Sequence, residues 1–275
     1  MLEKRILTAL LLLPLVILAI FYLPNPAFAL LWAVVLNFAA WEWSALARLN
    51  SLLARLAWVL VLDLVLVAVW FSINVNTVTD AVMLVAAAFW AVVIIALLFD
   101  ITHRVSALSA LAYHTVSLVV GALLIVPTWL ALVLLHDSQT SSVLLVFCLV
   151  WAADSGAYFA GRRFGKHKLA PAISPGKSWE GVLGGLLLSL VVVGFWVLLT
   201  DIPSAEQAAF VIIAMLAVMV SIYGDLLESV FKRASGIKDS GQLLPGHGGA
   251  MDRLDSITAA APVFVAGYLI KDMLL

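Results

Sequence analysis

Charge is what this sequence has least of. Of its 275 residues only 11% are Asp, Glu, Lys or Arg, while 65% are hydrophobic; a soluble globular domain carries roughly 25% charged residues. That scarcity excludes a large soluble domain. Cysteine is almost missing as well. Cys148 stands alone inside an apolar run, which excludes an intrachain disulfide framework and leaves no thiol cluster for a metal. The opening Met1 to Arg5 and the apolar run up to Pro24 contain no small-residue cleavage site, so the run reads as a retained first span and not as a signal peptide. Internal repeats are also missing.

What is present is a series of apolar stretches, near 6–24, 27–46, 55–73, 79–99, 112–135, 142–160, 179–200, 206–231 and 257–270. Hydrocarbon about 30 Å thick needs roughly 20 apolar residues per helix. The pattern predicts an all-α integral membrane protein of about nine transmembrane helices. Basic residues set its orientation, because cytoplasmic loops hold an excess of them. With the N-terminus cytoplasmic and the C-terminus periplasmic, fourteen of fifteen Lys and Arg fall inside, and only Lys271 does not. Two inward loops, 161–178 and 232–256, are long and rich in Gly, Pro and charge. Both belong to the second half, dividing the chain into 1–135, with about five spans, and 136–275. Inside the spans, Glu42, Asp63 and His114 read as helix-packing or headgroup contacts, and most Trp residues as interface anchors.

The chemistry concentrates around those loops. At the end of the eighth span Asp225, Glu228, Ser229 and Lys232 share one helix face. A helix end snorkelling to the headgroups accounts for Lys232 and Arg233 but not for two acids one turn deeper. Downstream, five glycines in the fourteen positions 236 to 249 allow backbone N–H groups to turn inward on an anion. Asp252 and Asp255, spaced i and i+3, enter the ninth helix together, unless Asp255 is only its N-cap. Carboxylates beside a phosphate site repel it without a divalent cation, so Asp225, Glu228, Asp252 and Asp255 imply Mg2+. In the other loop Ser174-Pro-Gly-Lys177-Ser178 sets hydroxyls and an ammonium just before a helix N-terminus, which favours anions. A Walker A loop is rejected, because the upstream glycine and leading strand are missing. Arg162, Arg163 and Lys168 belong either to the site or only to the charge bias of inward loops, and Lys177 is the better candidate. Asp154, near the inner end of the sixth span, is a further ligand or polar contact.

The run Ser229-Val-Phe-Lys232-Arg233, Lys238-Asp239-Ser-Gly241, Pro245-Gly-His247-Gly248-Gly249-Ala250-Met-Asp252-Arg253-Leu-Asp255 resembles the motif of the bacterial phosphatidate cytidylyltransferases, or CDP-diacylglycerol synthases. Ala250 departs from it, standing where the family usually has a larger apolar residue. The resemblance extends to Asp154-Ser-Gly-Ala-Tyr158 and Ser174-Pro-Gly-Lys177; over the first half of the chain it rests on hydropathy alone. It implies a Mg2+-dependent nucleotidyltransferase that makes CDP-diacylglycerol and pyrophosphate from CTP and phosphatidic acid, with residues 136–275 as catalytic region, in the bacterial inner membrane with its site facing the cytoplasm. It implies Asp225, Asp252 and Lys238 as catalytic residues and Asp225, Asp252, Glu228 and Asp255 as metal ligands. Substrate contacts would come from Ser174, Lys177, Ser229, Lys232, Arg233, His247, Gly248, Gly249 and Arg253. No nucleic-acid partner is expected, and a homodimer is the assembly it allows. Two other readings stand beside it. One is a CTP-dependent kinase of polyprenol or another lipid, which needs a base for a neutral hydroxyl. The other is a multi-pass transporter, which predicts paired repeats and polar groups strung across the bilayer.

Overall fold

A computed structural model of the chain describes residues 13–99, 105, 109–237, 239–241 and 248–274. Among them it is almost wholly helical: α1 (Leu13–Tyr22), α2 (Asn25–Leu46), α3 (Leu52–Phe71), α4 (Asn76–Leu98), α5 (Ala110–Ser138), α6 (Thr140–Phe164), α7 (Trp179–Leu199), α8 (Ser204–Ala234) and α9 (Met251–Leu274). Eight of these, α2 to α9, are long and apolar enough to cross a bilayer, which makes this a multi-pass membrane protein. The first part of the span expected near 6–24 lies outside the described residues.

Local sequence sets the helix starts. Pro26 enters the first turn of α2, where a missing N–H costs nothing. Ser51, Ser109 and Ser178 cap α3, α5 and α7 by accepting from Ala54, Ala112 and Gly181 N–H. The last helix begins at Met251, ahead of the apolar stretch 257–270, and so takes in Asp252 and Asp255 as their spacing predicts; Met251, Leu254, Asp255 and Ser256 at its start are buried. One expectation is corrected. The loop 161–178 is mostly structured: α6 runs on to Phe164, and β1 (Lys168–Ala170) pairs antiparallel with β2 (Ser174–Ser178). Glu180 closes this hairpin by accepting from the His167 and Lys166 N–H groups and pairing with His167 Nδ1 at 2.6 Å.

Helix α9 is the spine. Every residue from Leu254 to Pro262 is buried, as befits a helix surrounded on all sides, and it packs on α2, α4, α5, α6 and α8. By contrast α3, α4 and α7 bury little of themselves and present Leu60, Leu64, Val92, Leu187 and Leu198 outward, the surface that hydrocarbon covers. Helix ends meet in two groups. Arg48 donates to the Ala234 carbonyl, and Tyr113 and Ser235 donate to the Leu46 carbonyl. On the other end Asn25 meets His136 and Asp137, and Lys271 meets Glu206. Asp63 accepts from Asn37 at 2.9 Å and His114 Nδ1 sits 2.6 Å from the Ala47 carbonyl, so both are packing contacts. Trp43 and Trp129 are buried and donate to the Ser117 and Ala29 carbonyls, which makes them helix staples and not interface anchors.

Small residues bring α6 and α7 into backbone contact, the usual device where lipid removes the hydrophobic drive between helices. A Cβ on Gly156 would strike the Gly184 carbonyl, and one on Gly184 would strike Ala160 Cβ, whereas Gly194 faces open space. Gly184→Val is therefore expected to lower stability by about 1–3 kcal/mol, read as a lower thermal-unfolding midpoint in detergent. Gly194→Val leaves the midpoint unchanged; equal shifts in the two variants would contradict this packing.

Candidate functional site

The close approach of α8 to α9 builds the site. Gly224 on α8 lies against the Asp255 carbonyl and Ala259 of α9, with no room for a Cβ. That contact brings the charged face of α8 beside the first turns of α9. Lys232 Nζ sits between the two helices, 2.7 Å from Glu228 Oε2 and 2.8 Å from Asp252 Oδ1. All three are sheltered; Glu228 has no exposed surface, and its Oε1 has no hydrogen-bond partner among the described residues.

Asp252 does a second task with its other oxygen. Oδ2 accepts from the Ser240 N–H at 3.0 Å and the Gly249 N–H at 2.9 Å, fastening the glycine-rich segment over the start of α9. Gly248 has φ +87°, and a Cβ there would press on this same oxygen, so glycine is required on both counts. The nest of inward N–H groups expected from the glycines thus spends two donors on Asp252.

A second group lies one turn deeper. Lys177, at the end of β2, sits 2.8 Å from Asp225 Oδ2 and donates to the Ile222 carbonyl at 3.1 Å. Asp225 Oδ1 accepts from Ser229. Asp154 of α6 and Asp255 of α9 are close enough to interact electrostatically with both Lys177 and Asp225, and Arg253 adds its charge to Asp154. Asp255 is not the N-cap of α9. It lies inside the helix, is buried, and its Oδ1 accepts from the Ser256 N–H.

Of the residues singled out from sequence, Lys177, Asp225, Glu228, Ser229, Lys232, Gly248, Gly249, Asp252, Arg253 and Asp255 converge here. Arg233 turns away to donate to the Ile173 carbonyl at 3.3 Å, which ties the hairpin to α8, and Ser174 stands within the hairpin opposite Ala170. Lys238 and His247 lie outside the described residues. Sequence reasoning missed Ser240 and underrated Glu42, which accepts from the Ser240 hydroxyl and the Met251 N–H; the signal available was an acid near the end of an otherwise apolar helix.

For a divalent cation the donors are right in kind, all of them carboxylate oxygens, with the Glu228 oxygen left over. Among the described residues, however, no three metal-ligating side chains form a ready cage. Lys232 takes the bridging position between Glu228 and Asp252 that was expected of Mg2+. Breaking a buried ion pair from one side costs about 3–5 kcal/mol, so Lys232→Met is expected to lower the unfolding midpoint strongly. The Lys177 pair is more open, its Asp225 side chain being 36% exposed, and Lys177→Met costs less than ~1 kcal/mol. A Lys232→Met protein as stable as wild type would remove the bridge from this account.

Such an arrangement, ammonium and guanidinium groups interleaved with carboxylates at one end of an apolar bundle, defines a membrane protein with a charged site at its helix ends. More particularly, the chain belongs to the Cytidylyltransferase family, whose profile matches residues 3–270. It is 42% identical over 268 residues to a phosphatidate cytidylyltransferase of Pseudomonas aeruginosa, covering 97% of this chain and 96% of that one. To the Haemophilus influenzae protein of the same name it is 38% identical over 288 residues, covering 98% and 99%. A Staphylococcus saprophyticus phosphatidate cytidylyltransferase is 47% identical over 121 residues, 44% of this chain and 46% of its own.

Proposed function

We propose that this protein is a phosphatidate cytidylyltransferase that converts CTP and phosphatidic acid to CDP-diacylglycerol and pyrophosphate. A phosphate oxygen of phosphatidate attacks the α-phosphorus of CTP in line. The bond from that phosphorus to the bridging oxygen breaks, and pyrophosphate leaves with the electron pair. Both reactants are anions, so the work is positioning and charge neutralisation rather than covalent catalysis. The observation that carries the reading is the convergence of Lys177, Lys232 and Arg253 with Asp154, Asp225, Glu228, Asp252 and Asp255 on one end of the bundle, in a chain whose full-length relatives bear that name.

Lys177, Lys238 and Arg253 hold the phosphates, with Ser174, Ser229, Lys232, Arg233, His247, Gly248 and Gly249 shaping the site around them. Phosphatidate attacks already ionised, so His247 serves contact and not proton transfer. Mg2+ supplies charge neutralisation at the phosphates when bound. Asp225, the most exposed of the four acids, would hold it with Asp255 beside it once Lys177 turns from Asp225 to a phosphate, whereas Asp252 is committed to Lys232, Ser240 and Gly249 and Glu228 is paired with Lys232 and fully buried. Nine spans with a cytoplasmic N-terminus set the site on the cytoplasmic face of the bacterial inner membrane, where a soluble nucleotide meets a lipid phosphate.

Incubation of the purified protein with Mg2+, phosphatidate and labelled CTP tests this directly. Label from α-32P CTP is expected in the lipid; label entering only from γ-32P CTP would mean lipid kinase activity and overturn the reading. Asp225→Asn is expected to lower turnover at least ~100-fold while the protein still inserts in membranes, and wild-type activity in that variant would remove Asp225 from the site.

A further inference from the structure

Glu42 sits near the end of α2, almost 200 residues from the motif, and is only 7% exposed. It accepts from the Ser240 hydroxyl at 3.0 Å and from the Met251 N–H at 2.9 Å. Two glycines of the loop lie directly on its carboxylate: a Cβ on Gly241 would strike Oε1, and one on Gly249 would strike Oε2 and the Ser240 hydroxyl. Ser240 Oγ in turn accepts from the Asp252 N–H. A buried carboxylate is costly unless it is hydrogen-bonded, and here the loop supplies the bonds. Loop and acid therefore specify each other's position. Headgroup contact, one of the two roles expected of Glu42, does not describe a side chain enclosed in this way.

From this geometry we infer that Glu42 is a positioning residue for the cytidylyl-transfer site: it latches Ser240, Gly241, Gly249 and Met251 onto α2 and so fixes Asp252 and Gly248 beside the place where the nucleotide phosphates are held. The inference rests on the activity proposed above. It explains why glycine stands at 241 and 249, which phosphate contact alone does not require, since backbone N–H groups are present in any residue but proline. It also gives the N-terminal half of the chain a part in a site otherwise made from residues 154–255.

Steady-state kinetics of purified variants and cysteine labelling test it together. Glu42→Ala is expected to lower kcat/KM for CTP about 100-fold, the scale of a misplaced site. Glu42→Gln keeps an acceptor oxygen and stays within about tenfold of wild type. Gly241→Ala is damaging alone but adds little to Glu42→Ala, since the truncated side chain leaves room for the new methyl group. Additive losses, or a Glu42→Ala enzyme with wild-type kinetics, would overturn the inference. In a Cys148→Ser background, Ala250→Cys, a buried position in the latched segment, is expected to resist maleimide in the wild-type and Glu42→Gln contexts and to react quickly with Glu42→Ala. Equal labelling in all three would overturn it as well. This readout needs no turnover, so a latch that holds in a protein making no CDP-lipid would sink the activity and leave the latch standing.

Discussion

A single ammonium group, Lys232, holds two carboxylates that belong to different helices. Glu228 and Lys232 are one turn apart on α8, and Asp252 comes from α9. In a low-dielectric interior neither acid is stable alone, and the attraction offsets desolvation only when geometry is good and the remaining lone pairs are satisfied. Asp252 meets that condition through Ser240 and Gly249. The charged residue that joins the helices therefore also shapes the glycine-rich loop, and that loop reaches back to Glu42 on α2.

Close packing is the second requirement. Charged groups on neighbouring helices reach each other at hydrogen-bond distance only if the backbones approach closely. Gly224 against the Asp255 carbonyl does this for α8 and α9, and Gly156, Gly184 and Gly185 do it for α6 and α7. Through the second pair α6, which carries Asp154, is fixed to α7, whose N-terminus follows Lys177. The site is thus held by two glycine-lined helix pairs with a short hairpin between them. Arg233, donating to Ile173, ties that hairpin to α8.

Much of this was legible in the sequence because it is periodic or local. Apolar runs gave seven of the eight long helices to within a few residues, and i, i+3, i+4 spacing gave the common face of Asp225, Glu228, Ser229 and Lys232. What was not legible depends on contacts between distant residues. The start of α9 at Met251 goes with tertiary burial of Met251, Leu254, Asp255 and Ser256, a stretch too polar for hydropathy to join to the span. Glu42 finds Ser240 across 198 positions, and no spacing rule links them. The four acids of α8 and α9 suggested a metal between them, whereas Lys232, seven residues along the same helix face from Asp225, was in plain sight as the bridging cation.

Lys232 bridges Glu228 and Asp252, which leaves Asp225 and Asp255 as the pair we propose for the divalent ion. An experimental structure with CTP and Mn2+, the metal located by its anomalous scattering, decides between the two carboxylate pairs. The account predicts the anomalous peak between Asp225 and Asp255, with Lys232 still joining Glu228 to Asp252. A peak between Glu228 and Asp252 with Lys232 displaced would contradict it.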